Sequence, residues 1–465
     1  MTVQRATWLQ HLHRIRLLLK TMLLQSIAHI VSTQLLLLLV SSALCERLVK
    51  LVMAMARTSP HKSTASTLNA GHYSPVLTID ESHIKPLSEP IPSASPSIEH
   101  YIHYHGYDAQ RHIAITPDGF VLPLFRILKR PNATLLPSPT RSVPYGSKGP
   151  VLLVHGLFQS SGVFVTSGQS SLAFYLTEAG FDVWLGNNRC CEELHLNLSP
   201  NSTEFWDWSL DELARYDFPT MIEFVATKTQ YEKITFIGHS QGNAQAFLGL
   251  SMNPSIAERL RCFIALAPAV YTGPLLRRGP TGMLMGCSSG VYQFIFGIKA
   301  FLPIMITVQK YVPSSIFATM AYGMFHHLFK WCDTNWNNIY KNSFFQFSPR
   351  PTSAKAIQHW GQNSQRGHIG LFGSLQNEAD NLSTPDQLDI LNLAAVTCPL
   401  VTIYGRRDLI VDGDRLAREC RLKNLNVLYS EHIDEYEHLD VIWASTAPQR
   451  VFSKLVSLVN SLPLQ

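Results

Sequence analysis

Charge is what this 465-residue sequence has little of: Asp, Glu, Lys and Arg make up 15% of it, where about 25% is usual for soluble proteins. Apolar residues reach 46%, and 38 basic side chains face 33 acidic ones, a net charge of +5. A chain of that balance is not a disordered solvating segment, which needs charge in excess of apolar residues. It is not a nucleic-acid partner either, since that needs a concentrated basic face. Periodicity is missing too. The 26 glycines and 27 prolines follow no repeat and no heptads are sustained, which excludes collagen-like, solenoid and coiled-coil architectures. Cysteine is sparse: Cys45, Cys190, Cys191, Cys262, Cys287, Cys332, Cys398 and Cys420 form no CxxC pair and no Cys/His cluster at zinc spacing. A chain this long buries a core without a disulfide framework. What remains is a core-forming protein short of charge, and a lipid surface is the first explanation of the shortage.

Residues 21–45 carry no Asp, Glu, Lys or Arg and include the apolar run 35–40. Twenty-five residues make a helix of about 37 Å, longer than a hydrocarbon core of about 30 Å. The segment is expected to be a retained single-pass anchor within a region spanning 1–56. Two rivals stand beside it. A shallow or hairpin insertion tolerates Gln25, His29 and Gln34 better, and a cleaved signal would end at Ser41-Ser42-Ala43. Basic residues flank both ends, with Arg14, Arg16 and Lys20 before it and Arg47, Lys50 and Arg57 after it, so charge bias gives no orientation. Residues 57–99 are rich in Ser, Pro, Thr and His, the composition of a linker. Asn132, Asn197, Asn201 and Asn381 each head a glycosylation tripeptide, which matters only if this part faces a lumen or the exterior.

Beyond the linker, short apolar runs at 113–116, 120–127, 151–155, 182–185, 233–238, 262–267, 400–404 and 426–429 read as strands. Helical patterns at 210–227, 244–252 and 448–462 lie between or after them. Alternation of buried strands and helices predicts an α/β fold with a mostly parallel sheet covered on both faces. The gap between the runs at 262 and 400 is too long for one crossover. It predicts an inserted, largely helical cap over 271–396, splitting the core into 100–270 and 397–465.

The sharpest chemical signal is Gly238-His239-Ser240-Gln241-Gly242, a G-x-S-x-G sequence after a strand pattern and before a helical one. In such an elbow the glycines Gly238 and Gly242 remove Cβ atoms that would collide with the strained turn, and Ser240 is presented as a nucleophile at the carboxyl edge of the sheet. A serine hydroxyl needs a base, and the base needs an orienting carboxylate. Asp408, after the strand at 400–404, is the candidate acid, with Asp412 and Asp414 as rivals that suit a loop or a helix N-cap. His438 is the candidate base, ahead of His432. The strand at 151–155 runs into His155-Gly156, so the backbone N–H of Leu157, paired with that of Gln241, is the expected oxyanion hole. His155 itself reads as a buried ring that shapes the loop. No metal or other cofactor is called for.

The stretch 290–324 has only Lys299 and Lys310 as charges and carries Tyr292, Phe294, Phe296, Phe301, Ile304, Met305, Tyr311 and Phe317. An apolar cap over the site suits long acyl chains, each buried CH2 being worth about 0.8 kcal/mol. The alternative is that these aromatics fill the cap's own core. A crossing helix here is excluded, because Ser240 before it and Asp408 after it must meet on one side.

From about residue 100 to 462 the sequence resembles the acid-lipase branch of the α/β hydrolases, the gastric and lysosomal acid lipases, and among them the fungal membrane-anchored steryl ester hydrolases and related triacylglycerol lipases. The resemblance is carried, in order, by Thr116-Pro117-Asp118-Gly119-Phe120, by Val154 to Ser161, and by Phe181-Asp182-Val183-Trp184-Leu185-Gly186-Asn187. It continues through Phe205-Trp206-Asp207-Trp208-Ser209, Tyr216-Asp217-Phe218-Pro219, the elbow itself and His438-Leu439-Asp440. It implies an α/β-hydrolase fold and hydrolysis of neutral lipid esters, steryl esters or triacylglycerols, at a membrane or lipid-droplet surface, with Ser240, Asp408 and His438 as nucleophile, acid and base. Arg189-Cys190-Cys191 departs from the family's usual Arg-Gly-Asn. Acyl transfer to a lipid alcohol with the same triad, and a non-catalytic lipid-binding role, are the competing functions. Nothing in the sequence sets an oligomeric state.

Overall fold

The structure is a computed structural model that describes residues 16, 19–42, 45, 93–130, 146–189, 191–277, 288–373 and 391–464. Most of the linker expected at 57–99, together with Asn132, Asn381, Cys190 and Cys287, lies outside the described residues. Eight strands form one sheet: β1 (Tyr107–Ile115), β2 (Val121–Lys129), β3 (Pro150–Val154), β4 (Asp182–Gly186), β5 (Ile234–His239), β6 (Leu260–Leu266), β7 (Leu400–Gly405) and β8 (Val427–Ile433). Their order is β1-β2-β4-β3-β5-β6-β7-β8. β1 and β2 pair antiparallel, as do β2 and β4, and from β4 to β8 every neighbouring pair is parallel.

The central strands are apolar throughout because both faces are covered. Val151, Leu153, Ile237, Ile264 and Ile403 point to the side packed by helices α3 (Leu172–Glu178) and α11 (Ser453–Asn460). Leu152, Val154, Phe236, Phe263 and Leu400 point to the side packed by α4 (Phe218–Thr229), α5 (Gln241–Met252) and α10 (Gly413–Leu422). The edge strands are longer than their apolar runs. β1 starts at Tyr107 and β8 extends to Ile433, and both mix exposed with part-buried positions, so no continuous apolar run marks their ends.

Between β6 and β7 lie the cap helices α6 (Ser289–Phe296), α7 (Ile304–Tyr311), α8 (Ser314–Phe329) and α9 (Ala354–Arg366). The aromatics expected to cover the site are mostly committed elsewhere. Tyr292 and Phe296 pack on Ala354 and Ile357 within the cap, and Met305 and Phe317 join the large core cluster. The reading in which they fill the cap's own interior therefore holds for Tyr292 and Phe296, while Met305 and Phe317 tie the cap to the main core. At the other end of the chain, helix α1 (Leu19–Ser42) is long and apolar enough to cross a membrane. A further helix, α2 (Ile98–Tyr104), precedes β1, with Ser97 accepting the His100 N–H as its N-cap.

One buried charge cluster ties the sheet to its connections. The fully buried Arg189 guanidinium, just past β4, donates from Nε and Nη2 to Asp217 Oδ1 at 2.9 and 2.7 Å and from Nη1 to Asp118 Oδ2 at 2.8 Å. It lies 4.1 Å over the Phe120 ring. Asp217 is fully buried as well, so Asp217→Ala leaves a dry guanidinium with only the half-exposed Asp118 turn as a partner. The expected loss is about 3–5 kcal/mol of unfolding free energy, to be read from urea denaturation followed by tryptophan fluorescence.

Candidate active site

Ser240 sits between β5 and α5 with φ 53° and ψ −113°, angles that cost a non-glycine residue about 1–3 kcal/mol and persist only where the surroundings dictate them. The turn is held by the Ser240 N–H donating to Leu266 O at 3.0 Å and by Asn243 Nδ2 donating to the same oxygen at 2.8 Å. The helix begins at Gln241, three residues before the apolar pattern suggested, because Gly242 and Asn243 are polar or small yet buried in the elbow. Close approach explains the glycines. A Cβ on Gly242 would lie 2.5 Å from Val154 O, and one on Gly156 would lie 2.9 Å from Ser240 Cβ. Gly238 is likewise pressed against Asn243.

The three candidates for the chemistry meet. Ser240 Oγ lies 2.8 Å from His438 Nε2, and His438 Nδ1 lies 2.6 Å from Asp408 Oδ2. All three side chains are buried. The second oxygen of Asp408 accepts the backbone N–H groups of Ile410 (2.8 Å) and Val411 (3.2 Å), so the carboxylate cannot rotate away from the imidazole. That arrangement holds Nδ1 protonated and leaves Nε2 free to accept the serine proton. The rivals have other work. Asp412 caps α10 by accepting the Arg415 N–H at 2.9 Å, Asp414 accepts the Tyr404 hydroxyl at 2.8 Å, and His432 lies inside β8, 3.5 Å from Asp434.

The loop after β3 lies against the serine. Leu157, one expected oxyanion donor, lines the cavity, and Gln241, the other, directly follows Ser240; neither backbone N–H has an acceptor among the described residues. As the first residue of α5, Gln241 has no intrahelical partner for its N–H, and the helix dipole adds positive potential there. His155 shapes this loop as expected: its Nδ1 is 2.9 Å from Gly156 O, and the Asn188 N–H donates to its Nε2 at 3.3 Å. Cys191, in the segment that departs from the family pattern, places its Sγ 3.3 Å from the same nitrogen. His239 bridges the carbonyl of His438 (Nε2, 3.2 Å) and the side chain of Gln159 (Nδ1, 3.0 Å). Burial, and then the neighbouring His438, push its pKa down to about 3.

A largely apolar cavity opens on Ser240 and His438, walled by Leu157 and Phe158 on the sheet side and by Phe325, Phe329, Trp331 and Trp360 on the cap side. Several of these escaped sequence reading. Trp331 lies parallel to the His438 ring at 5.9 Å between centroids, and Trp360 Nε1 donates to Gln241 Oε1 at 2.8 Å. Gln159 braces the loop by accepting the Gly156 N–H at 2.9 Å. The wall aromatics begin at the C-terminal end of α8, just past the charge-poor stretch that drew attention. No group of three or more His, Cys, Asp or Glu side chains poised to hold a metal occurs among the described residues.

The fold and this arrangement place the chain among the α/β hydrolases. Residues 98–168 match the family model described as the partial alpha/beta-hydrolase lipase region, and residues 149–281 match the one described as the alpha/beta hydrolase fold. The chain is 33% identical over 393 residues to sterol esterase 2 of Saccharomyces cerevisiae, which takes in 78% of this chain and 71% of that protein. It is 33% identical over 383 residues to the gastric triacylglycerol lipase of Rattus norvegicus and 31% identical over 389 residues to the lysosomal acid lipase/cholesteryl ester hydrolase of Macaca fascicularis. Each of these alignments covers 79% of this chain and 92% of the relative. The chain belongs to the acid-lipase branch of the α/β-hydrolase lipases.

The buried histidines give the site a pH dependence with a definite sign. Burial holds the His155 pKa down at about 4, whereas the unfolded chain titrates a histidine near 6.5. The full contribution to stability is therefore present above about pH 6.5, and it is lost as the pH falls toward 4, by about 1.4 kcal/mol per pH unit. His155→Gln is expected to flatten the acid side of the stability curve by that slope. Urea midpoints at pH 7, 6 and 5 for both proteins measure it, and parallel curves would refute the assignment.

Proposed function

We propose that this protein hydrolyses neutral lipid esters, steryl esters or triacylglycerols, through an acyl-enzyme formed on Ser240. The observation that carries the reading is the unbroken hydrogen-bonded chain from Ser240 through His438 to Asp408 at the floor of an apolar cavity. Sterol esterase, triacylglycerol lipase and cholesteryl ester hydrolase among the relatives support the choice of ester.

In the first half-reaction His438 Nε2 takes the serine proton as Oγ attacks the ester carbonyl. The N–H groups of Leu157 and Gln241 receive the negative charge that develops on the carbonyl oxygen. His438 then returns the proton to the leaving alcohol, and Asp408 stabilises the imidazolium between the two transfers. Water attacks the acyl-enzyme by the same route in reverse and frees the fatty acid. No step calls on a metal or cofactor. Residues 271–396 act as the cap, with Phe325, Phe329 and Trp331 lining the acyl path. Helix α1 holds the chain at a lipid surface, where such esters are found.

The test is hydrolysis of cholesteryl oleate and triolein side by side. Ser240→Ala is expected to lower both rates by roughly 10^4-fold or more, and residual activity equal to the parent would sink the assignment. The ratio of the two parent rates identifies the preferred alcohol.

A further inference from the structure

Helix α1 does not stand apart from the catalytic body. Gln25, Ala28, Ser32 and Leu36, spaced 3, 4 and 4 residues apart, are its buried positions, one stripe of an α-helix. Gln25 Oε1 accepts the Ile298 N–H of the cap at 3.2 Å, and a Cβ on the adjacent Gly297 would lie 2.6 Å from that oxygen. Leu35 packs on the cap cluster of Phe296 and Ile357, which also takes in Phe158 of the cavity wall, and Leu36 and Val40 join the main core. From Gln25 to Val40 the helix runs about 22 Å along the protein, most of a hydrocarbon thickness of about 30 Å. A helix that crossed a bilayer in this pose would carry cap residues such as Lys299 in with it.

The opposite side of α1 exposes Leu19, Met22, Leu23, Ile30, Leu37 and Leu38, and the neighbouring α6 exposes Val291 and Phe294. Ser26, His29 and Gln34, also exposed, fall near the middle of the helix, where a crossing would place them at the bilayer centre. A helix lying flat sinks only about 5–10 Å into the headgroup and acyl boundary, so none of these groups reaches the hydrocarbon centre. The basic residues at both ends of the segment then stay on one aqueous side.

We propose that α1, docked as the outer layer of the cap, lies flat on a single phospholipid leaflet, the monolayer that covers a neutral-lipid droplet, in place of the crossing that its length and composition suggest. The choice of a droplet rests on the neutral-ester substrate proposed above; the flat docking rests on the α1–cap contacts alone. A monolayer over an oil core offers no second aqueous face, so a crossing helix would have to leave one charged flank in oil.

The test uses the full chain bound to a phosphatidylcholine-coated triolein emulsion. Arg16→Cys puts a thiol at one end of α1 and the native, exposed Cys45 serves the other. Labelling by a membrane-impermeant maleimide is located by peptide mass mapping. Modification of both ends at rates within about threefold of each other is expected, and protection of either end while the protein is bound overturns the proposal. Leu37→Glu together with Leu38→Glu is expected to weaken adsorption at least about tenfold while p-nitrophenyl butyrate hydrolysis in solution is unchanged. Unchanged adsorption also overturns it. A parent protein inactive on the soluble ester would instead refute the triad, and the labelling result would stand by itself.

Discussion

The strained backbone of Ser240 is the constraint on which the rest of this structure depends. Its positive φ is affordable only because the sheet and the helix that follows leave the turn no alternative. β5 is central, Leu266 O on β6 accepts from both Ser240 N and Asn243 Nδ2, and the Val154 carbonyl on β3 occupies the space a larger residue than Gly242 would need. The same crowding brings Gly156 within van der Waals range of the serine, which sets the proposed oxyanion loop beside the proposed nucleophile. Sheet order thus decides the chemistry: β3, β5, β6 and β7 are adjacent and parallel, so the loops after them converge at one edge.

His438, the proposed base, is fixed from the cap side. Asp440, two residues past His438, accepts Asn335 Nδ2 at 2.8 Å and Trp336 Nε1 at 2.9 Å, and Glu437 Oε2 accepts the Cys332 N–H at 2.7 Å. Burial pushes both carboxyl groups above their ordinary range. The segment that carries Trp331 is therefore bound to the residues on either side of His438. It cannot swing away without stripping buried polar groups of their partners, at about 1–3 kcal/mol for each. This part of the cap behaves as a fixed wall of the cavity.

Much of this was legible in the sequence, for reasons that differ by element. The five central strands β3 to β7 are buried on both faces, so their apolar runs stand out. The order of Ser240, Asp408 and His438 followed from strand ends, since a residue just past a parallel strand lies at the carboxyl edge whatever the loops do. Trp331, Trp360 and Gln159 were not legible. Their importance comes from which cap residue meets which core residue, and helical spacing encodes only which face of a helix is apolar. The aromatics of 290–324 misled for the same reason: an apolar face declares burial without naming what it is buried against. The polar interruptions of α1 were visible, but Gln25 reads as a flaw in a membrane span until Ile298 is seen to donate to it.

The low charge of the chain takes on a more specific meaning in this light. The buried charges are paired or hydrogen-bonded: Arg189 with Asp217 and Asp118, Asp408 with His438, and Asp440 with Asn335 and Trp336. Leu157 and Phe158, meanwhile, both line the cavity and pack in the cap cluster that the outer helix touches. Leu157 carries a proposed oxyanion donor, and Phe158 beside it, at φ 59°, has its ring 5.8 Å from Phe301 and its carbonyl accepting the Arg350 N–H at 2.9 Å. Both belong to the cluster on which Leu35 of α1 rests. The proposed oxyanion loop is thus held between the serine below and the cap with its docked helix above. In a dense interior a shift on one side is transmitted to the other rather than absorbed. In the proposed pose, a lipid surface that pressed on α1 and α6 would bear on the loop at Leu157 proposed to receive the carbonyl oxygen.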